Sequence, residues 1–217
     1  MTANDLSPAE ARVLGVLVEK QRSVPDAYPL TLNALVSGCN QKTSRDPVMS
    51  LTDAEVQEAL DALKHRSLVI ETSGGRVMRY AHNVERALAI PAQSAAILAA
   101  LLLRGPQTVG ELRINTDRMH RFADISAVEG FLHELAARPQ GALVAELPRA
   151  AGTREVRWMQ LLSGPAPRTA AVTVPLANEA DEASVAASVA TLQQEVAALR
   201  DELAALRSEV QAWRRER

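Results

Sequence analysis

Residues 28–82 read YPLTLNALVSGCNQKTSRDPVMSLTDAEVQEALDALKHRSLVIETSGGRVMRYAH, from Tyr28 to His82. Leu32, Leu35, Val36 and Cys39 fall at i, i+3, i+4 and i+7, the apolar stripe of a short helix. Cys39 on that stripe reads as core. A polar turn follows, and Thr52 with Glu55 then forms a capping box that opens a longer helix burying Val56, Ala59, Leu60 and Leu63. Residues 68–70 and 77–82 are short β-prone runs, with Gly74 and Gly75 turning between them. Working outward, an upstream helix starts at Ser7, where Pro8 suits the first helical position and Glu10 closes another capping box. Leu14, Leu17 and Val18 give it an inward face, and Pro25 and Pro29 lie beyond its end. The order is helix, helix, helix, strand, wing, strand, which is a winged-helix pattern.

From about Ala92 to Leu162 the pattern returns. Ile97, Ala100 and Leu101 face inward on the first helix, and Gly105 and Pro106 end it. Thr108 with Glu111 caps a short second helix, and Ser126 with Glu129 is the expected capping box of the third. There Val128, Phe131, Leu132 and Leu135 repeat the spacing of Val56, Ala59, Leu60 and Leu63. Residues 143–147, a turn through Gly152 and residues 156–162 make the second hairpin. The expected fold class is mainly α with small β-hairpins (α+β): a first winged-helix domain over 6–84 and a second over 90–163. A Pro/Ala-rich linker over 164–183 and a coiled coil over 184–217 complete it.

The last segment carries its own signature. Val185, Val189, Leu192, Val196, Leu199, Leu203, Leu206, Val210 and Trp213 alternate spacings of four and three. Val falls mostly at a and Leu mostly at d, the arrangement of a parallel two-stranded coiled coil. Glu195, Glu202 and Glu209 at g stand five residues before Arg200, Arg207 and Arg214 at e. That spacing does not pair within one helix but does pair across a parallel dimer. A homodimer is therefore expected, with Val189, Leu192, Val196, Leu199, Leu203, Leu206 and Val210 at its seam; the alternative is an amphipathic helix that folds back on its own body.

The stretch YPLTLNALVSGCNQKTSRDPVMSL and the stretch GELRINTDRMHRF from Gly110 to Phe122 resemble the YceH-like family of uncharacterised bacterial proteins. The likeness covers roughly residues 6–162. It implies a pair of winged helices and assigns no activity; the heptad tail lies outside it.

Charge limits the function classes. Lysine plus arginine balances aspartate plus glutamate over residues 1–164, so nucleic-acid contact has to come from local clusters. Asp53, Glu55, Glu58 and Asp61 lie on the outer face of the first unit's third helix, with Lys64, His65 and Arg66 only at its end. The second unit's equivalent carries Glu129 and Glu134 and reaches Arg138 only beyond its last turn. Both would repel phosphates in an ordinary major-groove insertion. Basic residues gather instead in the turns before these helices and in the wings. The candidate nucleic-acid contacts are Lys42, Arg45, Arg76, Arg79, Arg113, Arg118 and Arg121, with Arg149, Arg154 and Arg157 adding to the second wing. The bland alternative is that these arginines pair with Asp46, Asp117 and Asp124 on a solvated surface.

Enzymatic chemistry finds no motif. The chain has no phosphate-binding glycine loop and no His/Glu pair at metal-ligand spacing, and its single cysteine has no thiol partner. His65, His82, His120 and His133 are scattered over different elements. Tyr28 and Asn33 with residues 40–45 suggest a small polar cleft without a nucleophile and adjacent base, and Trp158 reads as core or interface. No cofactor or metal is expected. Cysteine usage suits a reducing, cytoplasmic setting. No signal peptide is expected at residues 1–5, and the most lipid-like run, 87–103, is interrupted by Pro91, Gln93 and Ser94, well short of the roughly 20 apolar residues of a membrane span. The expected function is a non-enzymatic, DNA-associated regulator or architectural protein. The alternative is an adaptor that binds another protein through its winged helices.

Overall fold

A computed structural model of the chain describes residues 6–73, 77–149 and 155–164. These residues contain seven α-helices, a 3-10 turn and two small antiparallel sheets, a mixed α/β body within residues 1–168. The heptad segment and its proposed seam, Val189 to Val210, lie outside the described residues, as does Gly152.

Helix α1 (Pro8–Ser23) begins where Ser7 Oγ accepts the Glu10 amide at 3.2 Å and Glu10 returns a carboxylate to the Ser7 amide at 2.8 Å. Helix α2 (Leu32–Cys39) is capped by Thr31, and α3 (Asp53–His65) by the expected Thr52/Glu55 box. Strands β1 (Val69–Ser73) and β2 (Met78–His82) pair with Val69 opposite His82 and Glu71 opposite Tyr80. After α4 (Val84–Ala87), α5 (Ala92–Arg104) ends at Gly105, whose φ of 71° is the left-handed conformation glycine adopts freely. Strand β3 (Gln107–Thr108) leads into α6 (Val109–Asn115), opened by the Thr108/Glu111 box. Helix α7 (Ile125–Ala136), β4 (Val144–Glu146) and β5 (Arg157–Gln160) complete the body.

Each half thus runs three helices and a hairpin, with one short extended segment joining each hairpin. In the second half β3 pairs with β5, giving the order β3-β5-β4; in the first, Leu30 makes an isolated bridge to Tyr80. Two-residue pairings of this kind leave no period to read in a sequence. The α7 cap also differs from expectation: Asp124, not Ser126, accepts the Ala127 amide, at 2.8 Å. Ser126 already sits inside the first turn, where its hydroxyl cannot reach an orphan amide.

The larger surprise is the burial of α1. Its periodicity suggests one inward face, yet every residue from Glu10 to Val18 is buried, and so is every residue of α5 from Ser94 to Leu103. The two helices pack against each other, so each has its own half on one side and the opposite half on the other. Gly15 permits this approach, because a Cβ there would stand 2.9 Å from Cγ and Cδ2 of Leu103. Two backbone bonds tie the halves further, Asp46 N–H to Leu103 O at 2.8 Å and Leu6 N–H to Leu162 O at 2.7 Å. Arg138 donates to the carbonyls of Leu88 and Ala89 from the end of α7. A single hydrophobic cluster runs through both halves.

Candidate functional site

The polar segment after α2 takes its shape from two buried arginines. Arg12, on α1, donates to the carbonyls of Cys39 at 3.0 Å and Pro47 at 2.6 Å. Arg45 donates to the carbonyls of Gly38 and Ser44, to Gln41 Oε1, and to both carboxylate oxygens of Glu19 at 3.1 and 2.6 Å. Asn40 closes the far end of the turn by bonding the amide and carbonyl of Leu51. The Arg45 guanidinium has no exposed surface. It therefore belongs to the interior and is unable to reach a phosphate, a correction to its expected role.

Of the polar residues read as a possible cleft around Tyr28, Tyr28 itself, Asn40 and Arg45 are engaged in the fold. Tyr28 Oη accepts the His82 amide at 2.6 Å, and burial pushes its hydroxyl pKa up to about 12. Cys39 is fully buried, as its place on the α2 stripe implied, and burial raises its thiol to about 12. That leaves it in the unreactive thiol form at neutral pH.

What the packing does create is a cleft of about 950 Å³ between the halves. Its walls are the last turn of α1 from Glu19 onward, residues 41–44 after α2, Arg104 at the end of α5, and residues 114–119 around the end of α6. The turns that precede the third helix of each half, which carry Lys42 and Arg118, therefore face one space. Five cationic side chains line it: Lys20, Arg22, Lys42, Arg104 and Arg118. Lys20 lies 3.5 Å from Glu19, and Arg22 pairs with Glu85 at 2.7 Å. Lys42, Arg104 and Arg118 have no hydrogen-bond or ion-pair partner among the described residues. Among the described lining residues the one carboxylate, Glu19, is already held by Nη1 and Nη2 of Arg45. Burial draws the Arg104 pKa down from its ordinary value, with Glu19 opposing and Arg45 adding to the effect. Starting so high, it remains a cation at neutral pH. Thr43, Ser44 and Asn115 add neutral hydrogen-bonding groups to the wall. Cations and neutral donors on one wall are groups that can hydrogen-bond anionic oxygens.

The other expected contacts are spread more widely. Arg113 is exposed near the cleft and donates to Ala123 O at 3.2 Å. Arg121 is exposed on the same turn, 3.8 Å from Asp117, so one of the anticipated surface pairs is present. Arg79 is half-buried and donates to Pro29 O at 2.8 Å, anchoring β2 to the segment before α2. Arg157 is bridged to Glu111 at 2.9 Å, and Arg149 lines a different groove. Arg76 and Arg154 lie outside the described residues. Sequence reading missed Lys20, Arg22 and Arg104. Their one local signal is their place in the last turns of α1 and α5, where cations commonly offset the helix dipole.

The outer face of α3 is acidic as expected. Asp53, Glu55 and Glu58 are exposed, and Lys64 is taken up by Asp61 at 2.9 Å and Glu71 at 2.5 Å. Among the described residues, no cluster of three metal-ligating side chains occurs, and no helix is long and apolar enough to cross a membrane.

Residues 6–153 match a family model described as a protein of unknown function, DUF480. A UPF0502 protein of Paracidovorax citrulli is 64% identical over 163 residues, covering 74% of this chain and 70% of the relative. One from Dechloromonas aromatica is 63% identical over 159 residues, covering 73% and 75%. One from Cupriavidus taiwanensis is 58% identical over 188 residues, covering 87% and 77%. With a family model matched from α1 into the last hairpin and bacterial relatives this similar along the folded body, the chain belongs to the DUF480 family, in which these relatives carry the name UPF0502 protein.

Proposed function

We propose that this chain is a non-enzymatic DNA-associated protein, a regulator or an architectural factor, that grips phosphates in the cleft between its halves. The single observation that carries the reading is the convergence of Lys42, Arg104 and Arg118, three cations without a hydrogen-bond or ion-pair partner among the described residues, on one open space. In this reading each half is a winged helix, supported by the order of three helices and a hairpin, and the likeness to YceH-like proteins points the same way. The third helices do not enter the major groove, because Asp53, Glu55 and Glu58 would face phosphates at close range. The heptads over 184–217 would join two chains in a parallel coiled coil, presenting two clefts to one duplex in the cytoplasm.

The test is a fluorescence-anisotropy titration of the full chain against mixed genomic DNA fragments at several salt concentrations. Three phosphates neutralised in each of the two clefts of a dimer give a slope of log K against log salt of about −5. Lys42→Ala with Arg118→Ala, present in both chains, removes about four units of that slope. Absence of binding at low salt, or a slope indifferent to the double substitution, would refute the reading. A second reading, a protein-binding adaptor, is favoured by one observation, the acidic outer face of α3, which suits a cationic protein surface better than a phosphate backbone.

A further inference from the structure

We infer that the groove between α7 and the β4–β5 hairpin docks an extended segment of a partner protein in which cationic and apolar residues alternate. The groove measures about 330 Å³ and lies in the second half. Val109, Ile125, Val156 and Trp158 form its apolar lining. Around them, among the described residues, stand three carboxylates, Glu129, Glu146 and Glu155, against one guanidinium, that of Arg149.

Two features mark it as a surface made for an occupant. Ile125 is the first residue of α7 and stands 48% exposed, while Val128, Leu132 and Leu135 of the same helix are buried. It contributes little to the core and presents a β-branched apolar side chain to the groove. The second feature is charge. Glu111 nearby is satisfied by Arg157 and by its own capping box, whereas Glu129, Glu146 and Glu155 have no ion-pair partner among the described residues. Carboxylates around an apolar lining repel a phosphate backbone and attract arginine or lysine. An extended segment sends successive side chains to opposite sides. Alternation therefore turns apolar side chains toward Ile125 and Val156 and leaves cations to meet the rim. His133, its ring edge-on to Trp158 with centroids 5.4 Å apart, links the groove wall to a fluorescent reporter.

That reporter makes the test local. In the full chain carrying Trp213→Phe, Trp158 is the only tryptophan. Titration with a short peptide alternating leucine and arginine is expected to shift its emission saturably, and a leucine–glutamate peptide is not. Ile125→Ser is expected to weaken the leucine–arginine peptide about tenfold, and Glu129→Gln with Glu146→Gln to weaken it at least as much. Both variants should keep the DNA affinity of the parent chain, so this inference and the DNA reading fail separately. Ile125 and both glutamates are exposed, and an unchanged thermal transition certifies the fold. Equal binding by an arginine–serine peptide, or binding indifferent to the substitutions, overturns the inference. So does a concentration-dependent change of Trp158 emission without peptide, which assigns the groove to a second copy of the chain.

Discussion

His82 is the group by which acid should loosen this fold. It is 8% exposed at the end of β2, with Nε2 2.7 Å from Gln21 Oε1 and Nδ1 facing the Val84 amide at 3.4 Å. That pattern fits the neutral ring, with Nε2–H donating and Nδ1 accepting. Burial is the main cause that lowers its pKa from 6.5 to about 4; Glu85 opposes the fall and Arg22 reinforces it. The unfolded chain therefore takes up this proton first as pH drops. Stability is full above pH 6.5 and is lost progressively toward pH 4, by about 3 kcal/mol over the whole window and about 2 kcal/mol between pH 7 and pH 5. The assay is urea unfolding followed by Trp158 fluorescence in the Trp213→Phe chain, at pH 7 and pH 5, with and without His82→Gln. Glu55 and Glu111, held below the usual carboxylate range chiefly by their capping amides, also weaken the fold on acidification. They titrate lower and are common to both proteins. The parent chain should lose about 2 kcal/mol more than the variant between the two pH values. Parallel losses would show that His82 is not held neutral, and the reasoning from burial would be wrong.

Three further outcomes are expected from the same unfolding assay at pH 7. Gly15→Ala drives a methyl into Leu103 at the α1–α5 contact and should cost about 1 to 3 kcal/mol; a neutral result would mean that the two helices do not approach this closely. Glu19→Ala leaves the Arg45 guanidinium buried without its carboxylate and should cost about 3 kcal/mol, near the lower end for such pairs because the Gly38 and Ser44 carbonyls and Gln41 remain as acceptors. Asp124→Ala should cost about 1 kcal/mol as a lost helix cap, whereas Ser126→Ala should stay within about 0.5 kcal/mol. The reverse order would return the α7 cap to Ser126.

Elements with a strong local code were readable in the chain. Ser7/Glu10, Thr52/Glu55 and Thr108/Glu111 each satisfy amides within one turn, so four residues of sequence contain the whole interaction. The apolar spacing of α3 and α7 states which face is buried for the same reason. Where two neighbouring residues compete for one local role, as Asp124 and Ser126 do, spacing alone chose wrongly. Backbone conformation decides it: Asp124 is extended, with φ −149° and ψ −178°, whereas Ser126 is already the second residue of the helix. The candidate site was half legible: Lys42 and Arg118 stand out as basic residues in polar turns, while Arg45 carries the same signal and is buried.

By itself, then, the sequence determined six of the helices, three of their capping boxes, the two hairpins and the order in which they return, because each is written in interactions spanning a few residues. Tertiary structure alone decided that α1 and α5 are buried on both sides, that Arg45 is claimed by Glu19, and that Lys42, Arg104 and Arg118 face one cleft. Those outcomes depend on residues dozens of positions apart meeting in space. Periodicity reports which side of a helix is apolar, but not how many neighbours will cover it, and charge reports that a side chain is cationic, but not whether packing has already supplied its anion.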